Sequence, residues 1–175
     1  MRGATVRRCI LGFFLTAGVG SLLHFAYELF GRSVLVAPFS AVNESTWEHM
    51  KLLFLPMLLY AFAVRLLCPS RRDFWWVRLR GIALGLLCIP VLFYTYNGAI
   101  APSPDWLNIL FFFLATGAGY AETARLDRRG EGRCAHPRLP LYLLLLLLFL
   151  FALFTFFPPH LGIFRDSLTG SYGVS

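Results

Sequence analysis

Apolar residues collect into five runs separated by polar punctuation: roughly Cys9–Phe30, Trp47–Leu67, Leu79–Tyr96, Pro104–Thr123 and Leu139–Phe157. Each is about 18 to 22 residues long, and a helix rising 1.5 Å per residue needs about that length to cross a hydrocarbon core of about 30 Å. The pattern predicts an all-α integral membrane bundle of five transmembrane helices, one domain over residues 1–175. The remaining tail, Pro158–Ser175, is too polar and glycine-rich to span again.

The punctuation predicts where helices begin and bend. Ser45-Thr46-Trp47-Glu48 reads as a capping box, with Ser45 as N-cap and Glu48 reaching back to its amide. Pro104 sits at a first helical position, with Asp105 near the positive dipole end. Pro56 and Pro90 lie inside helices two and three, where each frees a carbonyl, of Leu52 and Leu86 respectively. Gly81 and Gly85 form a GxxxG pattern that permits close helix approach. Helix five is almost wholly Leu and Phe, which predicts a place at the lipid-facing edge.

Charge sets the expected orientation. Of the sixteen basic residues, Arg2, Arg7, Arg8, Arg65, Arg71, Arg72, Arg78, Arg80, Arg125, Arg128, Arg129, Arg133 and Arg138 flank the runs on one side. Only Arg32, Lys51 and Arg165 fall on the other. The positive-inside rule then predicts a cytoplasmic N-terminus and an outer C-terminus. Trp47 and Trp106 fall at the expected outer interface and Trp75 and Trp76 at the inner one, where amphipathic rings are favoured. A chain 58% hydrophobic and 14% charged is far from the soluble average. The net charge of +7 is accounted for by loop arginines facing anionic headgroups, so the expected partner is the lipid bilayer and not nucleic acid. No cysteine lies in an expected outer loop and no CxxC occurs, so neither a disulfide nor a thiolate zinc site is expected. Apolarity continues past Gly20 without an A-x-A pattern, which predicts a retained first helix and not a cleaved signal.

Candidate chemistry gathers at the outer end of helices one and two. Ser21, His24 and Glu28 share a helical face. His24 lies about 9 Å inside its helix end at 1.5 Å per residue, a depth at which an ionisable group needs protein or water around it. After the loop come Asn43, Glu44, Glu48, His49 and Lys51. Imidazoles and carboxylates suit Zn²⁺ or a similar divalent ion, with His24, Glu28, Glu48 and His49 as candidate ligands. The same residues also suit a polar structural clasp, in which Glu48 caps its helix, His24 pairs with Glu28 and Lys51 neutralises Glu44 or Glu48. Asn97, Asp105 and Asn108 are further candidates from helices three and four, and the tail is patterned to fold back as a lid or brace.

The stretches His24-Phe25-Ala26-Tyr27-Glu28, Val42-Asn43-Glu44-Ser45-Thr46-Trp47-Glu48-His49-Met50-Lys51, and Phe164-Arg165-Asp166 with Thr169-Gly170 and Tyr172-Gly173 resemble an uncharacterised family of small bacterial multi-pass membrane proteins, catalogued as a domain of unknown function. The resemblance implies a bacterial cytoplasmic membrane, where the Asn43-Glu44-Ser45 sequon carries no glycan. It implies no activity, cofactor or partner. Three classes stay open: a binding, accessory or assembly protein, alone or as a homo-oligomer or with a membrane partner; a metal-dependent membrane enzyme; and a small transporter or channel component.

Overall fold

The computed structural model describes residues 2–68, 72–100, 103–129 and 136–174. Cys134, Arg71 and Arg133 lie outside these described residues. Five long helices follow in order: α1 (Arg2–Leu29), α2 (Thr46–Leu67), α3 (Phe74–Ala99), α4 (Asp105–Arg129) and α5 (Leu139–Phe156). A short 3₁₀ turn, Gly162–Phe164, lies in the tail. No strand is formed among the described residues; a single bridge pairs Arg165 with Tyr172.

Three helices outrun their apolar segments. α1 starts at Arg2, α3 at Phe74, and α4 continues to Arg129, so residues expected in the basic loops are helical. The apolar run measures what a bilayer could hold, whereas the helix extends as far as its charged turns find partners. Those partners are present: Arg78 reaches Asp127 at 2.9 Å and lies over the Phe74 ring, and Glu122 binds Arg125 at 2.6 Å and Arg80 at 3.4 Å. α1, α2, α3 and α5 are long and apolar enough to cross a membrane. α4 differs because Asp105 and Asn108 at one end and Glu122, Arg125 and Asp127 at the other shorten its apolar stretch.

α2 is the central helix, touching each of the other four. Residues Lys51 through Leu58 are buried without a break, as expected of a helix surrounded on all sides. α1, α4, α3 and α5 form an open arc around it, with α1 against α4, α4 against α3 and α3 against α5. One buried apolar cluster draws on all five, from Cys9 through Leu53, Met57, Ile82 and Ala115 to Leu144 and Phe151. α5 buries only Pro140, Leu144, Phe151 and Thr155 and leaves its other Leu and Phe side chains wholly or partly exposed.

Small residues set the closest approaches. Gly81 and Gly85 face α4, where a Cβ on Gly81 would meet Thr123 and lie 2.7 Å from the Gly119 carbonyl. Gly119 answers from the other side, where an added Cβ would lie 2.8 Å from the Gly81 carbonyl. The GxxxG is therefore used within the chain, between α3 and α4. A second approach joins α1 to α2: a Cβ on Gly20 would lie 2.8 Å from the Leu52 carbonyl, the one that Pro56 leaves without its amide partner. Hydroxyls add Thr16 to Tyr120 at 2.8 Å between α1 and α4, and Tyr60 donates to the Arg8 carbonyl at 2.7 Å.

α1 ends in a Schellman motif. Gly31 has φ +65°, its amide donates to the Glu28 carbonyl, and the Arg32 amide donates to Tyr27. The chain then turns twice through Ser33–Ser40 and lies over the start of α2. The tail returns to the same end. Asn43 Nδ2 donates to the Gly173 carbonyl at 2.9 Å, Ser167 Oγ to the Glu44 carbonyl at 3.1 Å and the Tyr94 hydroxyl to Gly162. Trp47 turns inward instead of outward, its ring centroid 4.5 Å from Phe151 and 4.8 Å from Phe164.

Candidate functional site

The polar residues around the first turns of α2 separate into two groups because a helix advances about 100° per residue. Glu48 and Lys51, three apart, share one face. His49 points elsewhere, toward α1.

The first group is a closed clasp. Lys51 Nζ lies 2.7 Å from Glu48 Oε2 and donates to the Ala37 carbonyl and to Thr155 Oγ1, each at 2.8 Å. All three ammonium protons are thereby used. Glu48 Oε2 also accepts the Val42 amide at 3.1 Å, and Oε1 faces the Thr155 hydroxyl at 3.1 Å. The Glu48 and Lys51 side chains are 2% and 1% exposed. A buried ion pair is tolerated when its remaining lone pairs and protons are satisfied, and this one fastens α2, the α1–α2 loop and α5 together. The capping box is accordingly only half formed. Ser45 Oγ accepts the Glu48 amide, but the Ser45 amide goes to Asn43 Oδ1 at 3.0 Å, because Lys51 draws the Glu48 carboxylate away.

The second group is open. His24 Nε2 lies 3.8 Å from Glu44 Oε1, and His49 Nε2 lies 3.5 Å from Glu44 Oε2. The two imidazoles meet edge to face with centroids 5.3 Å apart. Their side chains are a quarter to two-fifths exposed. His49 Nδ1 sits 2.9 Å from the Ser45 carbonyl. A carbonyl only accepts, so Nδ1 is the donor there, and Nε2 is the ring nitrogen turned toward Glu44.

Of the residues the sequence nominated, His24, Glu44 and His49 come together, while Glu48 and Lys51 are committed to the clasp. Glu28 is on the surface, 3.5 Å from Arg32, because its place one turn beyond His24 carries it past the end of the packed helices. Asn43 braces the tail. Asp105 and Asn108 line a cleft of about 350 Å³ together with Ser21, His24, Glu44 and His49. Phe25, Leu52, Ile109, Phe112 and Leu168 supply its apolar walls, so the tail contributes to it. Asn97 instead closes the α3–α4 turn, with the Ser103 amide donating to its Oδ1 at 2.8 Å. Thr155 escaped the sequence reading. Its signal was a lone aliphatic hydroxyl in a helix otherwise made of Leu, Phe, Ala, Tyr and Pro.

The match to a family of unknown function, DUF6512, extends over residues 5–174. The chain belongs to this family. No curated protein and no solved structure matches the chain. For this DUF6512 member the functional reading therefore rests on the cleft and the two polar groups.

Proposed function

We propose that this chain is a five-span integral protein of the bacterial cytoplasmic membrane, N-terminus inside and C-terminus outside, and acts as a binding or accessory component. In this reading its outer-face cleft takes a small, positively charged ligand. α4 completes the spans as the partner of α3 and α1, its polar positions turned toward the cleft and toward the inner-end ion pairs. The orientation is supported by the thirteen-to-three division of basic residues.

The observation that carries the binding reading is the cleft. Its volume and its mixture of apolar walls with a few convergent polar groups are those of ligand sites. Among the described residues its charged lining is made of carboxylates, Glu44 and Asp105, with imidazoles beside them and no Lys or Arg. That favours a cation. Glu48 and Lys51, being mutually satisfied, have no part in binding.

The test is thiol labelling of intact cells producing a chain whose native cysteines are replaced. A membrane-impermeant maleimide is expected to label Ser171→Cys, at the tail, and Ser21→Cys, in the cleft. A chain with Cys134 restored is expected to label only after the cells are opened. Labelling of Cys134 in intact cells would overturn the orientation, and a silent Ser21→Cys beside a labelled Ser171→Cys would overturn the accessible cleft.

A further inference from the structure

We infer that His24, Glu44 and His49 form a binding site for a divalent first-row transition ion, Zn²⁺ first among them. The inference rests on the cleft reading above and names the cation. His24 and His49 come from antiparallel helices, and Glu44 from the residue before the N-cap of the second. Their donor atoms lie within 4.8 Å of one another. The edge of a tetrahedron around Zn²⁺ with bonds of about 2.0–2.1 Å is about 3.3 Å. The His–Glu separations of 3.5 and 3.8 Å already approach that edge, and small rotations of half-exposed side chains close the rest.

The orientation of His49 is the second, independent observation. Metal-bound imidazole commonly donates its other ring N–H to a carbonyl or carboxylate, which fixes the ring and the tautomer. His49 Nδ1 against the Ser45 carbonyl has this arrangement, and that carbonyl is held by the helix start it belongs to. The residue is thus presented as an Nε2 ligand before any ion arrives. Two imidazoles and one carboxylate suit borderline ions such as Zn²⁺ better than Ca²⁺ or Mg²⁺, which prefer all-oxygen shells. Three protein ligands leave a coordination position open, as in sites that act on a bound water or substrate. Asp105 and Asn108 line the same cleft as the three ligands. The ligand set differs from the one the sequence suggested: Glu44 takes the place of both Glu28, which lies outside, and Glu48, which Lys51 neutralises.

The test uses the full chain in detergent with its cysteines replaced, so that thiolates contribute nothing. Elemental analysis after loading with Zn²⁺ and desalting is expected to give one ion per chain. Competition against a chromophoric chelator gives the affinity. His24→Ala, His49→Ala and Glu44→Gln are each expected to weaken binding by more than the roughly 10–100-fold lost when an outer-shell partner is removed. Glu28→Gln is expected to leave binding unchanged. Co²⁺ substitution should give visible bands of a four-coordinate nitrogen and oxygen site, lost in the same three variants. All variants are compared at equal helicity by circular dichroism. Substoichiometric zinc in the parent chain, or an affinity indifferent to the three ligand substitutions, would sink the metal site. Failure of metal binding with Ser21→Cys still labelled from outside would sink it while leaving the cleft standing. A silent Ser21→Cys would remove both.

Discussion

Lys51 and Glu48 stand one helical turn apart on α2 with Nζ and Oε2 at 2.7 Å, and neither side chain exposes more than 2% of its surface. Their mutual neutralisation decides how the rest of the polar end is organised, because it leaves Glu44 as the carboxylate facing the two imidazoles.

Breaking that pair from one side should be costly. Lys51→Met leaves Glu48 charged, buried and short of its main donor, and is expected to destabilise the protein by about 3–5 kcal/mol. Lys51→Met combined with Glu48→Leu removes both charges and should recover most of the loss. Thermal unfolding in detergent, followed by circular dichroism, measures both. A double variant no better than the single one would mean that the loop and α5 depend on the charges themselves.

The α3–α4 seam predicts a contrast between glycines. Gly81→Ala forces a Cβ onto Thr123 and against the Gly119 carbonyl at 2.7 Å, and overpacking of this kind costs about 1–3 kcal/mol. Gly18, on α1, has open space within 4 Å of the point where an alanine methyl would stand. Gly18→Ala should cause no loss and, by stiffening the helix, a gain of up to about 1 kcal/mol. The same melting measurement ranks the two.

Trp47 packs its ring on Phe151, Phe154 and Phe164, yet its buried indole Nε1 has no hydrogen-bond partner among the described residues. Trp47→Phe keeps the ring contact and removes the unsatisfied donor, so its stability should stay within about 1 kcal/mol of the parent. Trp47→Ala should lose about 3–5 kcal/mol. Equal losses in the two variants would assign the indole N–H a role that its surroundings do not provide.

Asn43 binds in two directions, its Oδ1 accepting from the Ser45 amide and its Nδ2 donating to Gly173. Asn43→Ala should release the end of the tail while α2 remains helical. Hydrogen bonds of this kind are worth about 0.5–1.5 kcal/mol net, so proteolysis within residues 158–174 should accelerate several-fold. Limited proteolysis with intact-mass readout checks it, and an unchanged cleavage rate would show that the remaining contacts of Gly162, Phe164 and Ser167 hold the tail without Asn43.

The helices were legible because long apolar runs bounded by Pro, Gly and charged residues leave few alternatives. Their ends were less so: Arg78 looks like a loop residue until Asp127 is seen across the α3–α4 seam. The α1–α2 hairpin was visible as the polar place in the chain, but the sequence put Glu28 beside His24 and left His49 or Glu48 as the residue approaching from α2. The choice among three carboxylates was not visible. It depends on Thr155, more than a hundred positions away, on the Ala37 carbonyl of a folded loop, and on the Schellman turn that leaves Glu28 outside. None of these is a local property of the residue it governs.

Gly20 has one consequence that reaches the imidazoles. His24 is one turn beyond it on α1, and His49 is one turn before Leu52 on α2, so the contact between Gly20 and the Leu52 carbonyl is the fulcrum of the hairpin that carries both rings. The gauge between them is set there, by the absence of a side chain at one position and a proline-freed carbonyl at the other. Gly20→Val would wedge the helices apart beneath the rings and open the bite between their Nε2 atoms, altering the triad without touching any of its three members.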